Sequence, residues 1–400
     1  MLIFFSRNLK KTMRHNIRFI IIIIIILTII PALVYPNKKL FSWGLFKLFV
    51  DSPFRTEGLR KAQNFDPDKD ILYLPSLKDK DIFQAVGDLS ITRKECVRKY
   101  LYWYLTGGRE YLIRSIERSY RYEDIIKNVF NKNKDIPEEL SLLPLLESSF
   151  DPHAISGSRA AGLWQFVHNT AKPLGLLRNR WVDERRNVEK STEAAVAHLR
   201  NLRGIFPSWE LVLAAYNGGA GYIQRAMARS GAKDLWTLNR SGLLRNETRE
   251  YVPRFIALLL IYQNRRLFGI KDEISIPEKR DDEYVTLEKP VDLRAVAKLA
   301  GVPLNTIKEL NPELNLDFTP VYKKRYRLLL PAHGKKRLEE NRKELYKHGI
   351  RGVIEYRIKK GDTIGKIARL HRSNAVLIME LNHIRNPKAL FPGQIILMPY

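Results

Sequence analysis

Cysteine is almost absent: Cys96 is the only one in 400 residues. A single thiol rules out an internal disulfide and any cysteine-rich metal site. No cysteine follows the apolar stretch near the N-terminus, so a lipoprotein-type anchor is not expected. The 8 histidines are scattered and make no ligand-spaced cluster, so neither a metal nor any other cofactor is expected. Acidic residues are also short, 43 against 69 basic, and the resulting charge of +26 draws the chain toward acidic partners. Nucleic acid, anionic lipid and cell-wall polymer all qualify. The basic residues spread along the whole chain instead of gathering in one tract, which argues against nucleic acid and for adhesion to an anionic matrix. An apolar fraction of 45% is ordinary for a globular protein, and the length allows two or three domains.

One long hydrophobic run is present. Phe19 to Val34 is nearly all apolar and contains an unbroken isoleucine tract over Ile21–Ile26. Lys10, Lys11, Arg14 and Arg18 precede it, so the positive-inside rule predicts a cytoplasmic tail over 1–16, a transmembrane signal-anchor over 17–35 and everything later outside. At about 16 to 19 residues the run lies between a signal-peptide core and a full span. Pro31 to Val34 is a poor cleavage signal, which favours an uncleaved anchor over secretion. Residues 36–91 mix charge and scattered proline without a sustained period and read as a linker.

From 92 to 275 the pattern is helical. Tyr100, Tyr104, Tyr111, Ile116 and Tyr120 are spaced for one helix face, and Pro137 stands where a helix would start. The last third then follows one plan twice, over 282–332 and 353–400: a short strand, two short helices and a strand ending in proline. In the second copy Lys360-Gly361-Asp362 makes a turn and Thr363 can cap the next helix. Between the copies, 333–352 is rich in Lys, Arg and Glu and reads as a solvated helical linker.

The segment Leu140 to Pro152 places Glu147 at the end of an apolar helix just before a turn. Desolvation there disfavours the carboxylate, raises its pKa and suits it to act as a general acid. From this motif alone a solvent-facing terminal Glu fits equally well. Ser156 to Val167 then combines small residues with an aromatic and an amide, as a sugar site requires. Gly162 would let a ligand approach the backbone, Trp164 or Phe166 would face a sugar plane, and Gln165 would bond hydroxyl or acetamido groups. A packing glycine beside core aromatics is the alternative. Ala214 to Gly221 ends an apolar helix in a glycine-rich turn, yet it lacks the Lys-Ser/Thr ending and preceding strand of a phosphate loop.

Four ordered motifs carry a resemblance: Glu147-Ser148-Ser149-Phe150, Gly162-Leu163-Trp164-Gln165-Phe166, Ala215-Tyr216-Asn217-Gly218-Gly219 and Tyr251-Val252-Pro253. Together with Trp181 to Arg186 and Ser191 to Ala195, they resemble the lytic murein transglycosylases of the membrane-bound D type. That likeness implies a mainly α fold: a goose-type lysozyme-like catalytic domain followed by two small βααβ modules resembling LysM domains. It makes Glu147 the acid and later the base, with Ser156, Gln165, Val167, Tyr216, Asn217 and Tyr251 lining a glycan cleft. In the second module it assigns glycan binding to Gly361, Asp362, Thr363 and Asn382. The first module, with Leu293, Val296, Ala297, Leu299 and Leu310-Asn311-Pro312, lacks the Gly-Asp-Thr turn, which leaves its sugar binding open.

The implied reaction cleaves the β-1,4 bond between N-acetylmuramic acid and N-acetylglucosamine without water and leaves 1,6-anhydromuramyl ends. The implied partners are peptidoglycan strands and the inner membrane, at its periplasmic face; protein partners are not legible. Glu193 and Glu210 share the domain, but nothing in their setting suggests the usual pair of glycosidase carboxylates. A lysozyme-like hydrolase and a non-catalytic peptidoglycan-binding scaffold are the alternatives.

Overall fold

Side chains that cap and break helices set the layout of the first two thirds of the described chain. The computed structural model describes residues 95–399, apart from 267, 279–280, 324 and 348–352. The expected tail at 1–16, anchor at 17–35 and linker at 36–91 lie outside the described residues. Among the described residues no helix is long and apolar enough to cross a membrane. Eleven elements follow in order: α1 (Glu95–Leu105), α2 (Arg109–Ser119), α3 (Glu123–Asn131), a 3-10 turn (Glu138–Leu142), α4 (Leu143–Glu147), α5 (His168–Ala171), α6 (Val188–Arg203), α7 (Trp209–Gly218), α8 (Ala220–Ser230), α9 (Leu235–Arg240) and α10 (Asn246–Gln263).

The single aromatic face expected from Tyr100 to Tyr120 is divided. The chain breaks between α1 and α2, where a side chain at Gly108 would lie 2.7 Å from the Trp103 ring. Tyr104 and Ile116 enter the core, while Tyr111 remains exposed. Pro137 does start a helical stretch, the 3-10 turn that leads into α4. Asn187 and Ser208 accept N-cap bonds from Lys190 and Leu211 N–H and so begin α6 and α7. At the centre runs α10, whose Val252, Phe255, Ile256 and Leu258 to Ile261 are buried against α1 and α7. Each such side chain contributes roughly 1.5–3 kcal/mol by leaving water, which makes α10 a rigid carrier for Tyr251.

The repeated plan of the last third is present as two antiparallel strand pairs. In the first module β1 (Asp282–Leu287) pairs with β2 (Tyr326–Pro331) in a register that sets Asp282 opposite Pro331, with α11 (Leu293–Ala300) and α12 (Leu304–Leu310) between them. In the second, β3 (Val353–Arg357) pairs with β4 (Ile395–Pro399), enclosing α15 (Ile364–Leu370) and α16 (Ala375–Leu381). One asparagine staples each copy. Asn311 donates to Ile307 O and Leu329 O and accepts from Leu329 N–H; Asn382 does the same with Ile378, Leu397 and Leu397 N–H.

The helical linker expected over 333–352 is helical across its described residues, but it is not wholly solvated. It contains α13 (Ala332–Glu340) and α14 (Arg342–Lys347), and Leu338 and Leu345 are buried in the first module's core. Their charge pattern is that of a helix with one narrow apolar stripe, which composition alone hides. Leu377 and Leu381 of α16 belong to the same core, and Arg294 pairs with Glu380 at 2.6 and 3.1 Å. Trp181 and Val182, from the loop before α6, complete it.

Candidate active site

Glu147 is the last residue of α4, a single turn whose Leu143, Pro144 and Leu145 are buried. The helix stops there because Ser149 and Phe150 both take left-handed backbone, φ 56° and 57°. Two successive non-glycine residues in that region cost about 1–2 kcal/mol each, so the surroundings must hold them. Phe150 is buried and donates its N–H to Pro144 O at 3.1 Å. Arg118 Nε donates to Ser149 O at 2.7 Å, and Tyr111 bonds Ser149 Oγ. Ser148 Oγ donates to Leu163 O at 2.9 Å. Strain held in place this way is typical of functional turns.

The carboxyl of Glu147 accepts a hydrogen bond from Tyr251 Oη. Burial raises its pKa to about 7, against the Tyr251 bond, which lowers it; the charge of Glu247 adds a smaller rise and Arg254 a smaller fall. The residue as a whole keeps some exposed surface, while its carboxyl is desolvated. Tyr251 is itself buried, and its phenol is pushed well up, chiefly by burial and then by Glu147. Tyr216 responds in the same way to the same two causes.

Ser156, Gln165 and Val167 sit on one hairpin-like loop, whose bridges join Ile155 to Ala161 and Ala161 to Phe166. Ser156 Oγ accepts from Ala160 N–H at 3.1 Å. Gln165, with φ 49°, spends its amide nitrogen on Gly162 O and Ala154 O. Val167 is exposed. Three bonds tie the motifs together: Ser148 to Leu163 O, Tyr216 Oη to Trp164 O at 2.9 Å, and Tyr251 to Glu147. Asn217 joins α7 to the start of α10, accepting from Thr248 Oγ1 at 2.9 Å and donating to Glu247 at 3.2 Å.

Two expectations are corrected. Gly162 does not open the backbone to a ligand: with φ 82°, it presses on the Arg185 carbonyl, 1.9 Å from where a Cβ would stand. Trp164 and Phe166 do not face a sugar plane, since both are buried; Trp164 lies against Phe130 and donates to Thr192 Oγ1 at 3.0 Å. The packing alternative holds for all three. Sequence reasoning also missed Tyr111 and Arg118, which hold the Ser149 turn, and Arg254, one turn beyond Tyr251. A cation three residues after a motif tyrosine was the available signal for Arg254.

In the second module Gly361 has φ 85° and so permits the turn. Asp362 accepts from Lys359 N–H and Tyr356 Oη, Thr363 caps α15, and Asn382 is the staple described above. These side chains are bonded within the module. Among the described residues no group of His, Cys, Asp and Glu is arranged to hold a metal.

Residues 124–239 match the transglycosylase SLT domain, 283–347 the LysM-like domain of lytic transglycosylase MltD, and 356–399 the LysM domain. The membrane-bound lytic murein transglycosylase D of Escherichia coli (strain K12) is 32% identical over 337 residues, covering 79% of this chain and 72% of that protein. A membrane-bound lytic murein transglycosylase C of Serratia proteamaculans is 32% identical over 139 residues, 31% of this chain and 38% of that protein. With a helical SLT domain followed by two LysM-type modules, and with that extent of likeness, the chain belongs to the lytic murein transglycosylases, enzymes of the bacterial cell envelope.

Proposed function

We propose that Glu147 cleaves the β-1,4 bond between N-acetylmuramic acid and N-acetylglucosamine, acting alone as acid and then as base. The observation that carries this reading is a desolvated carboxyl with its pKa raised to about 7, in contact with one phenol. Such a group keeps about half its population protonated at neutral pH and can donate a proton to the bridging oxygen. The C1–O bond then breaks, and N-acetylglucosamine leaves with the proton on its oxygen. The 2-acetamido oxygen of the muramyl sugar stabilises the cation at C1. Glu147, now ionised, takes the proton of the muramyl C6 hydroxyl, whose oxygen attacks C1 and closes a 1,6-anhydro ring. Glu147 ends protonated, and no water is consumed.

One carboxylate suffices because the second nucleophile belongs to the substrate. Glu247, the acid that acts on Glu147, already accepts from Asn217 and is largely exposed. Holding O6 against C1 makes ring closure intramolecular, an advantage worth up to about 7–11 kcal/mol in well-oriented systems. Ser156, Gln165, Val167, Tyr216 and Asn217 would orient the strand, and the second module would hold it near Gly361 to Thr363. A signal-anchor over 17–35 would keep the enzyme at the periplasmic face of the inner membrane.

Cleavage in water enriched in oxygen-18 tests the reading. Ring closure places no heavy oxygen in the products, whereas a hydrolase would label every new reducing end. No cleavage at all, with peptidoglycan binding retained, would favour a scaffold.

A further inference from the structure

We propose that the first LysM-like module is a positioning device for catalysis, holding the hairpin Ser156–Val167 in place through the loop Trp181–Arg186. This rests on the reading of that hairpin as a wall of the glycan cleft. The loop faces two ways. Toward the module, Val182 is fully buried and Trp181 stacks edge-on against Phe318, at 5.1 Å between centroids. Asp183 N–H donates to Glu313 O at 2.8 Å, Asn315 N–H to Trp181 O at 2.9 Å, and Asn315 Nδ2 to Asn179 O at 2.9 Å. The module thus adds backbone bonds to the loop as a neighbouring strand would.

Toward the hairpin, the loop presents Arg185. Its guanidinium is buried and held by both oxygens of Asp183, at 2.9 and 2.7 Å. Nη1 donates to Arg159 O at 2.7 Å and to Phe166 O at 2.9 Å, on the two sides of the hairpin. The Arg185 carbonyl fills the space that Gly162 leaves open. The path from module to hairpin is therefore continuous: Glu313 O, Asp183, Arg185, then the carbonyls of Arg159 and Phe166.

The first module differs from its twin at the turn before its first helix. Its two inter-element loops are stitched together by Leu293 N–H to Asp317 O at 2.8 Å, Thr319 N–H to Val291 O at 3.0 Å, and Val291 N–H to Thr319 Oγ1 at 3.0 Å. In the second module the corresponding turn leaves Gly361 and Thr363 exposed. The first copy has kept the asparagine staple and the strand pair but turned its loop onto the catalytic domain.

Full-length Asn315→Ala and Arg185→Lys test this. Asn315→Ala removes an exposed interdomain contact without touching a core; Arg185→Lys keeps the charge opposite Asp183 but cannot also span both carbonyls. Three quantities are read: kcat/KM on soluble, uncross-linked glycan strands, retention on insoluble peptidoglycan, and amide exchange at Ala161 and Gly162, whose N–H groups bond Phe166 O and Ala154 O. Both variants should exchange faster at those two amides and lose kcat/KM, roughly tenfold for Asn315→Ala and more for Arg185→Lys, with retention unchanged. Glu380→Ala, which removes the second module's side-chain bonds to Arg294 and leaves the Arg294–Asp292 pair of the first module in place, should match the parent. Parental exchange and turnover in both variants would overturn the proposal. So would loss of retention with turnover kept, which would make the module a glycan binder. Failure of the parent to cleave would refute the catalytic reading instead, and the exchange data would still decide the positioning claim.

Discussion

Glu147 carries a cost that the proposed chemistry would explain. Its folded pKa of about 7 lies above the ordinary 4.5, so the folded state binds more protons than the unfolded one between these values. Stability from this group is therefore full below about 4.5 and declines as pH rises toward 7. Glu147→Gln removes the ionisation, and at pH 8 it should stabilise the fold by up to about 3 kcal/mol, with little effect at pH 4.5. Chemical denaturation at the two pH values checks this. Activity should also fall as pH rises through about 7, since the acid must be protonated. Tyr251→Phe removes the bond that opposes the rise, so the falling limb of the pH–rate profile should move upward. An unmoved limb would separate Tyr251 from the titration of Glu147.

At the scale of elements, the glycine and the asparagines are the sensitive points. Gly162→Ala combines φ 82° with a clash against the Arg185 backbone, so it should cost about 3 kcal/mol or more, measured by thermal unfolding of the catalytic domain. Asn311→Ala leaves the buried Leu329 N–H and carbonyl without their partner, while Ile307 O keeps Asn311 N–H, and should cost about 2–3 kcal/mol. Asn382→Ala, at a partly buried site, should cost less.

Helices, strand pairs and caps were legible here because each rests on local patterning: Thr363 before α15, Pro137 before its 3-10 turn, the alternation of β3. The site was legible in part. The place of Glu147 could be read from the apolar helix before it, but its contact with Tyr251 spans more than a hundred residues and has no local trace. The roles expected of Gly162, Trp164 and Phe166 failed for a related reason. Small and aromatic residues serve packing and sugar binding alike, and only their burial tells which. The buried stripe of α13 and α14 was masked by the many charges on their outer faces.

Across the whole molecule, the charge of +26 meets an anionic wall polymer, and three apolar cores are joined by the Trp181 loop and by Arg294 with Glu380. Retention on peptidoglycan should therefore weaken as salt rises and the Debye length shrinks from about 10 Å at 0.1 M to about 3 Å at 1 M. The part carried by the second module's contacts should persist, and a sedimentation assay across that range would show it. Arg294 and Glu380 are each about a third exposed, so Arg294→Ala should cost no more than about 1 kcal/mol.

The central claim concerns one carboxyl and one product. Mass spectrometry of muropeptides released from purified peptidoglycan, by the parent and by Glu147→Gln, addresses both. The parent should release fragments ending in 1,6-anhydromuramic acid, one water lighter than their reducing counterparts, and Glu147→Gln should release about 10²–10⁴-fold less. Reducing ends from the parent, or undiminished cleavage by Glu147→Gln, would contradict it.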